Sequence, residues 1–225
     1  NHAKEYKKCF ELVASDNPED GFNHALTWKS FGGGEAAEHC LASALINMQR
    51  YQSGAQRLEK LADDSRQTKE FKAQILAQAA QAWFLDQNPS RARAVLDSAI
   101  ELDPTSAELY LDRGHILSTE QYYTDALNDF NKAISLDDQL VDAYVFRGTL
   151  YRLTEKFEEA TRDISLALDL APNNQEAMLE RGMLYRIDHQ DQQARQMWLD
   201  AINQDPLTEA AEIARLNLEK MDIHN

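Results

Sequence analysis

Histidine, cysteine and the repeated charged residues are the side chains of this sequence that could do chemistry. The histidines His2, His24, His39, His115, His189 and His224 include no HxxxH pair, and Cys9 and Cys40 form no CxxC. Neither of the short spacings that bring metal ligands together is therefore present, and no metal site is expected. His39 stands beside Cys40, the one neighbourhood where a thiol could be activated. The competing reading, a helix-surface histidine next to a buried or bridged cysteine, is preferred, because reactive thiols need an electropositive and partly open setting. No phosphate-binding loop, dinucleotide fingerprint or nucleophile elbow occurs. Glu108, Asp142 and Glu176 recur at a fixed interval, as first-turn carboxylates that complement helix dipoles do. Arg113, Arg147 and Arg181 recur in the same way. They read either as an anion-binding ladder or as structural partners of Asp129 and Asp163, and the structural reading is preferred. Nothing supplies a convergent nucleophile, base or metal, so no catalytic residue and no cofactor are expected.

Composition narrows the partners. The chain has 225 residues, 43% apolar and 27% charged, with a formal net charge of −15. Such a charge repels phosphate backbones, so nucleic acid is not an expected partner. No apolar run reaches the ~18–20 residues that span a bilayer. Only 8 Gly and 5 Pro occur, few for a protein built from short strands and turns.

The elements that hold these side chains follow a period. Ala92, Ala126, Ala160 and Ala194 stand 34 residues apart, as do Ala99, Ala133, Ala167 and Ala201. Gly114, Gly148 and Gly182 form another small-residue column, with Ala80 in the earlier slot. Pro104, Pro172 and Pro206 share a fourth column with Asp138. Large residues fill the columns between them: Trp83, Leu117, Tyr151 and Tyr185 in one, Leu96, Phe130, Ile164 and Trp198 in another. Each period holds two amphipathic stretches, such as 107–118 and 123–136, separated by a short polar turn. Two antiparallel helices cannot bury their apolar surface alone, so successive pairs must stack. The small columns permit close helix approach and the prolines end the second helix of each pair.

A 34-residue period with this order of small and large residues resembles the tetratricopeptide repeat (TPR) family. The match covers 73–106, 107–140, 141–174 and 175–208. The resemblance implies an all-α, right-handed superhelical solenoid of antiparallel helix pairs. Residues 1–34 and 35–72 read as degenerate repeats of one single solenoid, with a helix near Lys4–Ser15, second helices around Phe22–Ala25 and Tyr51–Leu61, and a break at Gly32–Gly34. About four extra residues near Lys69–Lys72 separate them from the regular repeats. Segment 209–225 has room for one amphipathic capping helix and a tail.

The resemblance also implies a function. TPR stacks line a concave groove with their first helices, at the second, fifth, ninth, twelfth and thirteenth positions of each repeat. Carried onto this chain, these positions include Phe84, Leu111, His115, Val145, Arg152, Leu179, Met183 and Arg186. An aliphatic strip at Leu111, Val145 and Leu179, flanked by Arg152 and Arg186, is expected to take an apolar segment with acidic ends. The Lys and Asn set of the TPR domains that grip a C-terminal carboxylate is missing. The expected role is a non-enzymatic scaffold for a protein or peptide; the alternative is a structural protein whose repeats mediate homo-oligomerisation. In this frame Cys9 and Cys40 fall on the first helices of the first two units, which are neighbours, and admit a bridge. The N-terminal third resembles exported bacterial TPR proteins with a cysteine in each of their first two units, joined by a Gly-rich turn. That resemblance implies a Cys9–Cys40 disulfide and a periplasmic or otherwise exported location, with the cytoplasm as the alternative.

Overall fold

A computed structural model describes residues 2–15 and 17–223. Among the described residues there are thirteen α-helices and no strand. They follow the sequence period as pairs: α1 (His2–Val13) with α2 (Pro18–Ser30), α3 (Gly34–Asn47) with α4 (Tyr51–Asp64), and α5 (Lys69–Leu85) with α6 (Pro89–Leu102). Next come α7 (Ala107–Thr119) and α8 (Tyr123–Leu136), α9 (Val141–Leu153) with α10 (Phe157–Leu170), and α11 (Gln175–Ile187) with α12 (Asp191–Gln204). A single helix, α13 (Glu209–Ile223), ends the described chain; residues 224 and 225 of the expected tail lie outside it. The fold is an all-α helix-pair repeat.

The turns inside the pairs repeat with the helices. Gln49, Gln87, Gln121, Glu155 and His189 all sit at φ between 56° and 65°, the left-handed conformation that closes a helix. At four of these turns the next N–H reaches back five residues: Arg50 to the Leu45 carbonyl, Asn88 to Trp83, Lys156 to Tyr151 and Gln190 to Tyr185, at 2.8–2.9 Å. Between pairs, Asp103, Asp137 and Asp205 each accept from the backbone N–H two residues on, at 2.9–3.1 Å. Pro104, Pro172 and Pro206 lie two residues beyond α6, α10 and α12. Asn88 and Asn174 cap α6 and α11 by accepting from Arg91 and Ala177 N–H groups. The four residues expected to separate the degenerate repeats from the regular ones do not form a spacer. Lys69–Lys72 are the first turn of α5, because the Thr68 hydroxyl accepts from the Phe71 N–H and starts the helix early.

The helices form two compact units, Asn1–Glu120 and Gln121–Asn225, and the division falls between α7 and α8. In the first unit, Leu58, Ile75, Trp83, Leu96, Leu109 and Ile116 share a core with small alanines from α3–α6. A smaller cluster joins Cys9, Val13, Ala25, Cys40, Leu41 and Ala44. First helices also touch one another here, α1 on α3 and α5 on α7. In the second unit, α9 packs on α10 and α11, and α13 covers both α11 and α12. There Trp198 lies against Leu179, Ala210, Ala214 and Met221, donating its indole N–H to the Leu179 carbonyl at 3.2 Å.

Candidate ligand groove

Three first helices of the first unit enclose a groove of about 280 Å³. Phe10, Val13 and Ala14 line it from α1 and its end, Ser43, Ile46 and Asn47 from α3, and Gln78, Gln81, Ala82 and Leu85 from α5. None of these ten residues is charged, in a chain where 27% are. The surface therefore offers apolar contacts and neutral amide and hydroxyl groups, and amides can both donate to and accept from an extended backbone. A polar link runs beneath the same three helices. The Tyr6 hydroxyl of α1 lies 2.9 Å from His39 Nδ1, and His39 Nε2 lies 2.8 Å from the Gln78 Oε1 of α5. An amide oxygen only accepts, so Nε2 carries the proton and Nδ1 accepts from Tyr6. Burial pushes the His39 imidazole below its usual range, against the hydrogen bond to Gln78.

Two larger hollows are chemically different. One of about 690 Å³ in the first unit is edged by Lys29, Glu35, Glu38, Arg57, Lys60 and Asp64. Its charges are paired within the chain, Lys29 and Arg57 on Glu38 and Lys60 on Asp64. The other, about 680 Å³ in the second unit, lies between α10 and α11 and includes Phe157, Tyr185 and Ile187 with Glu158 and Asp188. Arg181 lies over the Tyr185 ring there, 4.7 Å from its centroid.

The residues expected to line a groove are not equally available. Leu111, Val145 and Leu179 are only 7%, 2% and 6% exposed, so the fifth-position strip is packing between helices rather than an open surface. Val145 is held among Tyr144, Ala167 and Ala177, and Leu179 among Ala194 and Trp198. Met183 is half-buried beside the same Trp198 cluster. The open aliphatic column lies eight residues further along the first helices, where Leu85, Leu153 and Ile187 are 46%, 52% and 40% exposed. Arg152 holds Glu180 through two bonds of 2.6 and 3.0 Å and meets an acidic ligand only by displacing that partner, whereas Arg186 is partly exposed and pairs with Asp191 through one nitrogen. Phe84 is half-buried with its ring centroid 5.6 Å from that of His115, whose imidazole burial pushes below its usual range. Arg147 forks onto Asp163 at 2.7 and 2.8 Å and reaches Asn131, while Arg113 binds Asp97 and Arg181 binds Ser165. Each of these arginines ties its first helix to the second helix before it, and the Arg147 fork also ties α9 to α10, the second helix of its own pair. Cys9 and Cys40 are joined in a disulfide, fully buried, with Cα atoms 6.3 Å apart.

The sequence reading singled out neither Phe10, Ser43, Ile46, Asn47 nor Gln78. They belong to the degenerate repeats or to positions between the standard groove columns, and the period alone gives no register for them.

The Tetratricopeptide repeat family profile matches residues 107–140 and 141–174, in the register of the alanine and glycine columns. Residues 107–174 are tetratricopeptide repeats. No curated protein sequence matches it. Among solved structures, it is similar to pilF of Pseudomonas aeruginosa, with 14% identity and a TM-score of 0.71, over 96% of this chain and 97% of that one. It is similar to MamA of Desulfovibrio magneticus RS-1, with 16% identity and a TM-score of 0.62, over 78% and 97% of the two chains. It is also similar to the first TPR of Spaghetti (RPAP3), solved bound to the HSP90 peptide SRMEEVD, with 25% identity and a TM-score of 0.51, over 55% and 98%. Identities as low as the first two establish the fold alone. Stacked helical repeats present extended surfaces of the kind used for binding other proteins.

Proposed function

We propose that this tetratricopeptide-repeat protein is a non-enzymatic scaffold that binds an extended, largely uncharged segment of a partner protein along its first helices. The observation that carries the reading is the α1–α3–α5 groove, where Phe10, Ile46 and Leu85 offer apolar contacts beside Asn47 and Gln81. Apolar anchors supply affinity and the amides fix the direction of an extended strand. The peptide complex of the RPAP3 relative supports a peptide as ligand class. The acidic ends first expected of the ligand are not required by this groove, since no cationic side chain lines it. Among the described helices none is long and apolar enough to cross a membrane. A periplasmic or otherwise exported site of action fits a chain whose two cysteines are buried against each other.

The test is photo-crosslinking in the native cell, with the reactive side chain introduced at Leu85 in the groove or at exposed Ala94 on α6. The groove position is expected to capture a partner that the α6 position does not. Capture from Ala94 alone overturns the reading.

A second reading, self-assembly, draws on α13. Leu216 and Ile223 on that helix and Leu207 before it are exposed, and no second helix follows α13 among the described residues. A mass in solution that rises with concentration, and that Leu216→Asp with Ile223→Asp lowers, favours it over the groove.

A further inference from the structure

We infer that the groove is redox-gated: the Cys9–Cys40 bridge clamps the α1 wall onto α3, and its reduction opens the binding surface. The inference rests on the groove reading above and adds its regulation. Cys9 is adjacent in sequence to Phe10, which lines the groove, and Cys40 lies one helical turn before Ser43 on the α3 wall. The bridge thus joins the two helices whose side chains form one side of the groove.

The other side does not depend on it. Gln78, Gln81, Ala82 and Leu85 stand on α5, a 17-residue helix that shares the large core with α4, α6 and α7. By contrast, α1 has 12 residues and only two buried ones, Cys9 and Val13. A helix of that length is marginal in water without tertiary support. Apart from the bridge it is held by Val13 and half-buried Phe10 in the small core, by the Tyr6 hydroxyl on His39, and by contacts with α2, where His2 and Tyr6 lie against Trp28 and Glu5 meets His24. Both sulfurs are fully covered, so a reductant reaches them only when α1 lifts away. Opening and reduction then reinforce each other, because α1 no longer returns under the clamp.

The chemistry balances with a dithiol reductant. One of its thiolates attacks a bridge sulfur to give a mixed disulfide, and its second thiol resolves that bond. Cys9 and Cys40 leave as two thiols, the reductant leaves as a disulfide, and two electrons and two protons pass to the protein.

The experiment uses the oxidised chain, excess dithiothreitol, and a linear peptide selected on the oxidised chain from a displayed random library. Hydrogen exchange and peptide affinity are read before reduction, after it, and after reoxidation. Expected after reduction are α1 amides exchanging at least tenfold faster with α5 and α6 unchanged, and a peptide Kd raised at least tenfold; reoxidation restores both. Cys9→Ala with Cys40→Ala is expected to match the reduced chain, and protected α5 and α6 amides show that it has folded. Three outcomes overturn the gating alone: a bridge that survives the dithiol under native conditions, α1 protection that does not change, or a looser α1 with unchanged Kd. A peptide whose binding ignores Leu85→Asp in the oxidised chain overturns the groove reading, and the gating with it.

Discussion

Gly148 and Gly182 occupy the same register position and face obstacles of different kinds. A methyl at Gly182 would lie 2.3 Å from Trp198 Nε1, in a ring pinned by its bond to the Leu179 carbonyl. At Gly148 the nearest atoms are Ile164 Cδ1 at 2.9 Å and Cγ1 at 3.0 Å, the outer end of an aliphatic side chain rather than a hydrogen-bonded ring. Gly182→Ala is therefore expected to lose about 1–3 kcal/mol, while Gly148→Ala stays within about 1 kcal/mol because helix propensity offsets the contact. Urea titrations of the two variants decide it, and equal losses would reject the close approach at Gly182. Acid gives a second residue-scale test. His39 is buried and neutral, with its folded pKa below the unfolded value of about 6.5. As pH falls through that value the unfolded chain takes up the proton first. Stability from this residue is thus full above the unfolded pKa, and falls by up to about 1.4 kcal/mol per pH unit until the folded pKa is reached. His39→Gln keeps groups that can bond Tyr6 and Gln78 and does not titrate, so its melting temperature should fall less than that of the parent between pH 7.5 and 5.5. Parallel melting curves would remove His39 from the account. Sequence was least informative at this scale. The fifth-position aliphatics Leu111, Val145 and Leu179 read as ligand anchors because a column of like residues looks the same whether a neighbouring helix or a ligand covers it. Arg152 misled for the same reason, since nothing in the period places Glu180 against it.

Helices were legible where small and large columns alternate, because that alternation states which faces must meet. All four regular repeats divide into helices near the expected turns, and even the faint pattern at Tyr51, Gly54, Leu58 and Leu61 is helix α4. Five of the turns inside the pairs were not legible, since the residue that takes the left-handed conformation there is not glycine: Gln49, Gln87, Gln121, Glu155 and His189. L side chains in that region carry about 1–2 kcal/mol of strain, which the two carbonyls satisfied at four of these turns help to hold. Glu155 is exposed and follows α9, whose last turns bond the Glu155 and Lys156 N–H groups. Glu155→Gly removes the strain and gives back part of the gain as unfolded-state entropy, for a net rise of roughly 0.5–1 kcal/mol. Chemical denaturation reads it directly. A variant no more stable than the parent would mean that the glutamate side chain contributes to the turn. The start of α5 went unread for a related reason. Thr68 is an ordinary polar residue until its hydroxyl finds the Phe71 N–H, and then Lys69–Lys72 become a helical turn.

Across the whole molecule, stability in a stacked-repeat protein is a sum of repeat and nearest-neighbour terms, so a local defect stays local. The Cys9–Cys40 bridge closes a sequence separation of 31 residues at the end where the repeats are most degenerate. In the chain-entropy model a loop of that length is worth about 3–4 kcal/mol. Replacing both cysteines by alanine should remove that amount from α1–α3, whose shared cluster holds the bridge and its neighbours. It should leave the cluster of Trp198 with Ala210, Ala214 and Met221 untouched, because no residue of that cluster belongs to the N-terminal helices. Residue-resolved hydrogen exchange separates the two regions in one experiment. Opening free energies should drop in α1–α3 and stay constant in α11–α13. A uniform drop along the chain would show that the protein unfolds as one cooperative body, and the nearest-neighbour account of its stability would fall. A change confined to the N-terminal helices would mean that a partner groove can be loosened at one end while the remaining repeats keep their structure.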